Sequence, residues 1–173
     1  MAPQNRTTPD PVFDPLLERF EGPLVRYAAR ITGDLERARD VVQETFLTLH
    51  QETANGTGLV AANGHLAAWL FTVCRRKALD IRRKEQRMTT LTAEQADRCV
   101  TSDEPPGELE QRETTGQLLE LLNTLSEQQQ EVVRLKFQNG LSYREIGEVT
   151  GLTVTNVGYI LHTSIKKLRE LMK

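Results

Sequence analysis

The feature that most constrains this chain is the stretch 141–167, which predicts two helices joined by a tight turn. Ser142 and Glu145 have the spacing of a capping box, in which each side chain bonds the backbone N–H of the other residue at a helix start. Thr153 or Thr155 can cap the second helix. That helix has apolar residues at spacings of three and four, which predict one buried face: Val157, Ile160, Leu161, Ile165 and Leu168.

Two glycines and one valine refine this prediction. Gly147 is expected where the first helix approaches the second closely, and Gly151 is expected in the left-handed turn that ends the first helix. Val157 follows six residues later as the buried anchor of the second helix. This spacing is typical of a DNA-binding helix-turn-helix, and the alternative is an αα-hairpin that contains two glycines.

The basic residues are concentrated in one part of a chain that is slightly acidic overall. The 173 residues carry a formal net charge of −2, which is unusual for a protein that binds DNA unaided. Residues 69–87 nevertheless contain seven basic and two acidic side chains, a local charge of about +5. This segment is therefore a candidate nucleic-acid surface, and the alternative is a solvated helix with Trp69 packed in the core.

Several functional classes have no support in the sequence. Cys74 and Cys99 are far apart and no histidine stands at metal-ligand spacing with them, so neither a zinc site nor a disulfide framework is expected. No phosphate-binding loop or nucleophile motif is present, so we expect neither an enzyme nor a cofactor. Since no apolar run reaches the length of a membrane span and residues 1–15 lack a signal-peptide core, we expect a cytoplasmic protein without membrane insertion.

The apolar stripes predict an all-α fold. Two small helical domains are expected, joined by a flexible linker, with the helix-turn-helix in the C-terminal domain. A double proline, a glycine and an acidic balance mark the linker. The predicted parts are a flexible tail at 1–12, the first domain at 13–87, the linker at 88–112 and the second domain at 113–173.

Three helices are expected in the first domain. Pro23 lies within the first of them and should break or kink it locally. Asp34 caps the second helix, which runs over about 35–52, and the third runs over about 65–86. The second helix has a clear apolar stripe: Ala38, Val41, Val42, Thr45, Phe46 and Leu49.

In the second domain, two helices are expected to form a platform for the helix-turn-helix. The first of these lies at 113–125, where leucines recur. Ser126 and Gln129 form a second capping box, and the helix that they start continues to Gly140. Its apolar residues are Val132, Val133, Leu135 and Phe137.

Three segments resemble motifs of one protein family, in the order in which that family carries them. DVVQETFLTLHQ is similar to the segment that docks on the coiled coil of the polymerase β′ subunit, and WLFTVCRRKALDIRRKEQR is similar to the promoter −10 recognition and melting segment. LLNTLSEQQQEVVRLKFQNGLSYREIGEVTGLTVTNVGYILHTSIKKLREL is similar to the domain that reads the −35 element. The chain thus resembles bacterial RNA polymerase sigma factors of the extracytoplasmic-function (ECF) group.

The resemblance implies a promoter-specificity subunit that is not itself an enzyme. Such a subunit binds core RNA polymerase, recognises the −10 and −35 promoter elements, assists promoter melting and is often held inactive by an anti-sigma factor. On this chain the polymerase-binding positions are Asp40, Gln43, Glu44 and Phe46, with Phe46 expected to pack inward. The −10 positions are Arg75, Arg76, Asp80, Arg82 and Arg83. The −35 positions are Thr153, Thr155, Asn156, Tyr159, His162 and Lys166.

Three positions depart from the family pattern, two of them in the second helix of the helix-turn-helix, which is the recognition helix. Gly158 and Ile160 stand where the family usually has basic residues, and Arg76 replaces the usual asparagine of the −10 helix. A glycine inside a helix also costs about 1 kcal/mol relative to alanine. We therefore expect weak intrinsic affinity for −35 DNA.

Two other functions fit parts of the sequence. A conventional dimeric helix-turn-helix regulator would bind two DNA half-sites without polymerase, whereas a protein-interaction adaptor would use its helices for partners alone. The DVVQETF segment disfavours the regulator, and the basic helix disfavours the adaptor. A further hypothesis is that the acidic stretch 101–110 folds over the basic helix as an internal brake, and the simpler alternative is a solvated linker.

Overall fold

The described part of the chain is helical, and no strand occurs in it. The structure is a computed structural model that describes residues 13–56, 65–91 and 120–172. The predicted all-α class is confirmed. The helices are α1 Phe13–Thr32, α2 Leu35–Ala54, α3 Leu66–Leu91, α4 Glu127–Phe137, α5 Tyr143–Thr150 and α6 Val154–Leu171.

Part of the predicted organisation lies outside the described residues. This applies to the tail 1–12, to the acidic stretch 101–110 with its hypothetical brake, and to most of the helix expected at 113–125. The described residues divide into two compact units. α1, α2 and the part of α3 from Val73 onward belong to the first unit, whereas α4, α5 and α6 group with 65–72. The domain boundaries stay a prediction.

Helix α1 passes through Pro23 without the expected break. A proline inside a helix forfeits one backbone hydrogen bond and costs about 3 kcal/mol. Phe20 and Leu24 beside it are buried, however, and each such side chain gains about 1.5–3 kcal/mol on leaving water. The burial of this face outweighs the local cost, so the helix is not broken at Pro23, and a local kink there stays a prediction.

The turn between α1 and α2 follows the predicted local chemistry. Gly33 has a positive φ of 70°, and Asp34 is the N-cap of α2, where its carboxylate accepts a hydrogen bond from the Arg37 N–H at 3.0 Å. The apolar stripe predicted for α2 is confirmed, because the same side chains are buried. They are Ala38, Val41, Val42, Thr45, Phe46 and Leu49.

Cys74 connects α3 to the other helices of the first unit. Its thiol lies 3.9 Å from the Leu24 carbonyl oxygen, to which it donates a weak hydrogen bond. Burial raises the pKa of Cys74 to about 12, although a hydrogen bond with the Thr45 side chain opposes the shift. The thiol therefore stays neutral at physiological pH and serves as a packing group.

Two capping boxes start the helices of the second unit. Ser126 with Gln129 begins α4, and Ser142 with Glu145 begins α5. In both boxes the serine hydroxyl accepts the backbone N–H three residues later, and the other side chain accepts the serine N–H. Both capping boxes are confirmed, which shows that these helix starts are encoded locally.

Helix α4 is buried on more than one face. Val132, Val133, Arg134 and Leu135 are all buried. Phe137, although apolar, is 64% exposed. It is the last residue of α4 and lies about 200° around the helix axis from Leu135.

Arg134 is a buried cation whose hydrogen-bonding capacity is not used. Only 7% of its surface is exposed, and its Nε and Nη1 atoms have no hydrogen-bond partner among the described residues. Burial lowers the pKa of this guanidinium, because the charged form loses hydration. Since an unsatisfied buried donor costs about 1–3 kcal/mol, Arg134 destabilises the second unit relative to an apolar side chain of similar size.

The helix-turn-helix depends on a close backbone approach at Gly147. A Cβ atom on this residue would lie 2.7 Å from the carbonyl oxygen of Leu152, so only a hydrogen atom fits there. Gly147 was expected where the first helix approaches the second, but its close neighbour is Leu152 in the turn between them. Gly151 ends α5 with a φ of 76°, as predicted, and of the two possible caps Thr153 starts α6.

Two glycine-to-alanine substitutions in this unit should have opposite effects on stability. Both gain the helix propensity of alanine, about 1 kcal/mol. In Gly158→Ala the new Cβ would meet the Tyr143 ring at 3.7 Å, an ordinary contact, so we expect a gain of about 0.5–1 kcal/mol in the free energy of unfolding. In Gly147→Ala the clash with the turn should reverse the sign, with a net loss of at least about 1 kcal/mol. Denaturant unfolding measures both values, and equal stabilities would rule out the close approach.

Replacing the buried guanidinium should stabilise the protein. Arg134→Met removes the unsatisfied N–H groups and keeps an apolar stem, so we expect the free energy of unfolding to rise by about 1–2 kcal/mol. Lys136→Met on the same helix is the control, because its ammonium donates to the Leu141 carbonyl at 3.2 Å and its removal should bring no gain. Urea unfolding at neutral pH compares the variants. A destabilised Arg134→Met variant would mean that the guanidinium makes a net favourable interaction.

Candidate nucleic-acid interface

Helix α3 presents a basic stripe to solvent. Arg76, Arg83 and Arg87 are exposed and recur at spacings of seven and four, which places them on one side of the helix. Asp80 is also exposed in this stripe, and its carboxylate lies 3.7 Å from the Arg83 guanidinium. The arrangement is a row of cations with one acidic interruption, which suits an extended polyanion.

Of the other basic residues of α3, Lys84 is exposed and three are less accessible. Arg75 and Arg82, both predicted −10 positions, are half-buried, as is Lys77. Trp69, for which packing in the core was expected, is also half-buried. Of the five predicted −10 residues, the structure therefore brings Arg76, Asp80 and Arg83 to the exposed stripe and leaves Arg75 and Arg82 partly covered.

Two ion pairs join α3 to α2. The Lys77 ammonium lies 3.2 Å from a Glu44 carboxylate oxygen, and the Arg37 guanidinium pairs with Glu85. Because Glu44 is largely exposed, its pair is worth only about 0–1 kcal/mol. Its geometric effect is larger, since it places a predicted polymerase-binding residue directly beside the basic helix.

The outer face of α2 carries the other predicted polymerase-binding residues. Asp40, Gln43 and Glu44 are exposed, whereas Phe46 is buried, as expected, and holds the helix in place. Leu47 is 56% exposed and was missed by the sequence analysis. Leu47 follows Asp40, Gln43 and Glu44 by seven, four and three residues, so it lies on the same face of the helix. This spacing could have identified Leu47 from the sequence.

The predicted −35 residues lie on α6 and are all exposed. Thr153 has a structural role as well, since its hydroxyl accepts a hydrogen bond from the Asn156 N–H at 3.2 Å and caps the helix. At about 100° per residue, four others form a stripe opposite the buried side of α6. They are Thr155, Tyr159, His162 and Lys166.

A tyrosine from α5 extends this surface, and the sequence analysis missed it. A Cβ atom at Gly158 would lie 3.7 Å from the Tyr143 ring, so the ring covers the helix where the family usually has a basic side chain. The Lys136 ammonium lies 5.4 Å from the centroid of the same ring and is also bonded to the Leu141 carbonyl. The Tyr143 ring therefore neighbours both Gly158 on α6 and a positive charge from α4.

Other kinds of site find no counterpart in the described ranges. No group of three or more histidine, cysteine, aspartate or glutamate side chains could hold a metal ion there. None of the helices described is long and apolar enough to span a bilayer.

Comparison with known proteins decides between the functions considered above. The model described as Sigma-70 region 2 matches residues 16–88, and the model described as Sigma-70, region 4 matches residues 115–168. The chain is 31% identical over 157 residues to the ECF RNA polymerase sigma factor SigL of Mycobacterium tuberculosis, covering 89% of this chain and 85% of that protein. The chain belongs to the ECF sigma factors. It is a sigma subunit of transcription initiation, a non-enzymatic factor, and the regulator alternative is not favoured.

One further relative and two solved structures resemble this sigma factor. It is 26% identical over 162 residues to RNA polymerase sigma factor YlaC of Bacillus subtilis, covering 92% of this chain and 91% of that protein. The sigma factor RpoE, solved in complex with the anti-sigma factor NepR from Bartonella quintana, matches with a TM-score of 0.68 and 22% identity over 92% of this chain and 96% of that one. CnrH, solved with the cytosolic domain of CnrY, matches with a TM-score of 0.57 and 21% identity over 92% and 86%. At these identities the structural likeness shows the fold alone.

The acidic interruption of the basic stripe gives a testable contrast. Asp80→Asn should raise the affinity for single-stranded DNA, because it removes a negative charge and releases Arg83 for phosphate contact. Arg83→Gln should lower the affinity and reduce the slope of log K against log salt by about 0.7. Fluorescence anisotropy of a labelled single-stranded oligonucleotide between 50 and 200 mM salt, roughly the range over which such contacts weaken, measures both. If the wild type, Asp80→Asn and Arg83→Gln gave the same slope of log K against log salt, phosphate contact by this stripe would be excluded.

Proposed function

We propose that this sigma factor binds core RNA polymerase through the outer face of α2 and places α3 and α6 on the −10 and −35 promoter elements. The observation that carries the proposal is the separation of faces within the first unit. The polar row with Leu47 lies on α2, the basic stripe lies on α3, and the Glu44–Lys77 pair joins the two helices. A bound polymerase and a melted promoter strand would thus be held side by side.

The outer face of α2 has the composition of a protein interface. Interfaces combine an apolar anchor with a polar rim that fixes register, and Leu47 among Asp40, Gln43 and Glu44 provides this combination. We assign the coiled coil of the β′ subunit as its target, in line with the family motif. Phe46 contributes indirectly, because it is buried and fixes the orientation of the helix.

The basic stripe of α3 fits the melted −10 region better than duplex DNA. Arg76 and Arg83 can hold phosphates of the non-template strand while flipped bases are captured nearby, which stabilises the open state of the duplex. Asp80 limits the charge of the stripe, which favours contact only when polymerase has brought the promoter close. The overall charge of −2 agrees with this dependence on polymerase.

Helix α6 is assigned to the major groove at the −35 element. Its outward stripe is exposed over several turns, as a recognition helix requires, and Lys166 at its far end can contact a phosphate. Because only one of the four stripe residues carries a fixed positive charge, this contact is weak without polymerase. The protein acts in the cytoplasm, where core polymerase and promoter DNA are found.

An anti-sigma factor is the proposed regulatory partner. RpoE of Bartonella quintana was solved in complex with the anti-sigma factor NepR, and CnrH was solved with the cytosolic domain of CnrY. Both proteins share the fold of this chain. A partner of the same class would hold this sigma factor away from polymerase until it is released.

The test is in-vitro transcription with purified core polymerase on a promoter pool. The wild-type protein should produce new transcription starts, and the double variant Asp40→Ala/Glu44→Ala should reduce them at least about tenfold. Leu47→Ala should give a comparable loss, although its exposed side chain contributes little to folding. Glu21→Gln on the exposed side of α1 is the control for a general effect of charge and should transcribe normally.

Two outcomes would overturn the proposal. Full activity of the Leu47→Ala and double variants would move the polymerase contact away from α2. The absence of starts, together with binding of the free protein to duplex DNA as a dimer, would favour a conventional regulator.

A further inference from the structure

The part of α6 that would enter the major groove carries no charge. Residues 154–163 contain no lysine, arginine, aspartate or glutamate, and the first charged residue of the helix is Lys166. The commonest specific contact in the major groove is a bidentate hydrogen bond from arginine or lysine to guanine. This helix cannot make that contact in its first two and a half turns, so its base selection must use other chemistry.

Two outward side chains of these turns are suited to apolar contact, whereas Asn156 and His162 offer hydrogen-bonding groups. Thr155 presents a methyl group, and Tyr159, which is 67% exposed, presents an aromatic ring four residues later on the same stripe. Threonine methyl and aromatic groups pack against the C5-methyl group of thymine, which only thymine displays in the major groove. Both residues lie opposite the fully buried Val157 and Leu161, so neither is needed for the core.

Gly158 is not itself part of this contact surface. The Tyr143 ring lies 3.7 Å from the place that a Cβ atom of the glycine would occupy, so the helix backbone is covered on this flank. The apolar contacts of the outward stripe are therefore left to Thr155 and Tyr159.

We propose that α6 selects its −35 duplex through thymine methyl groups, with Thr155 and Tyr159 as the residues that determine specificity. This inference rests on the proposed function of α6 and names the base that the helix recognises. The preferred element carries thymines on the strand that faces this stripe. Lys166 adds affinity without selecting sequence, since a phosphate contact is the same at every base pair.

The experiment uses the full-length protein with core polymerase on templates randomised at the −35 element. Transcribed templates should be enriched in T·A pairs at adjacent positions. Each enriched thymine is then replaced by deoxyuridine, which removes the methyl group and keeps all hydrogen bonds. Transcription should fall about fourfold for each contacted methyl, the size expected for one buried methylene-sized group. Replacing a contacted thymine by cytosine should also lower transcription, and 5-methylcytosine at the same position should recover part of the loss.

Variants of the two residues identify the contact. Thr155→Ser loses the protein methyl and keeps the hydroxyl, and Tyr159→Ala loses the ring, so each should abolish the effect of one deoxyuridine position. Tyr159→Phe is the matched control, because it removes only the hydroxyl and should keep the full dependence on the methyl group. Lys166→Ala should lower transcription equally on all templates.

The outcomes separate this inference from the function on which it rests. Protein-dependent transcription that is indifferent to deoxyuridine, or that selects guanine, would overturn the thymine-methyl contact and leave the sigma function intact. Loss of selectivity in Tyr159→Phe would mean that the Tyr159 hydroxyl selects the base through a hydrogen bond, and that the ring does not select it through the thymine methyl group. No protein-dependent transcription on any template would overturn both.

Discussion

The helices that carry the predicted sites, α2, α3 and α6, each bury one side and expose the other, and this restriction determines both the fold and the site. On α2 the buried stripe contains Val41, Val42 and Leu49, so the remaining side chains must face outward. Asp40 and Glu44 are exposed because they alternate with that stripe at helical spacing. The same condition brings the basic row of α3 and the uncharged row of α6 to the surface. Packing and partner binding are therefore two results of one periodic pattern.

Charge is distributed so that the protein depends on its partner. The chain is acidic overall, its cations are concentrated on α3, and even there Asp80 interrupts the row. With this distribution we expect the free protein to have little general attraction for DNA. A further cation of α3, Lys77, is paired with Glu44 on the neighbouring helix. A sigma subunit can accept these restrictions because polymerase supplies the missing attraction.

The sequence predicted best what is determined by neighbouring residues. The capping box at Ser142, the left-handed Gly151 and the buried stripe of α2 depend on contacts within a few residues, and all three are present. The break considered at Pro23 is absent, because burial by other elements decides whether a proline is tolerated, and the same packing leaves Phe137 exposed at the end of its helix. Spacing placed the exposed residues of α6 on one face. It could not show that Tyr143 covers Gly158, since that contact joins two helices through their packing.

The contact between Tyr143 and Gly158 also limits how this protein can change during evolution. A long side chain at 158 would need the space beside the helix that the Tyr143 ring occupies, and the ring in turn lies under the Lys136 ammonium. A basic side chain at 158 would therefore have to displace the Tyr143 ring or extend past it. Positions 143 and 158 thus act as a pair, and the effect of a substitution at one of them on promoter recognition depends on the residue at the other.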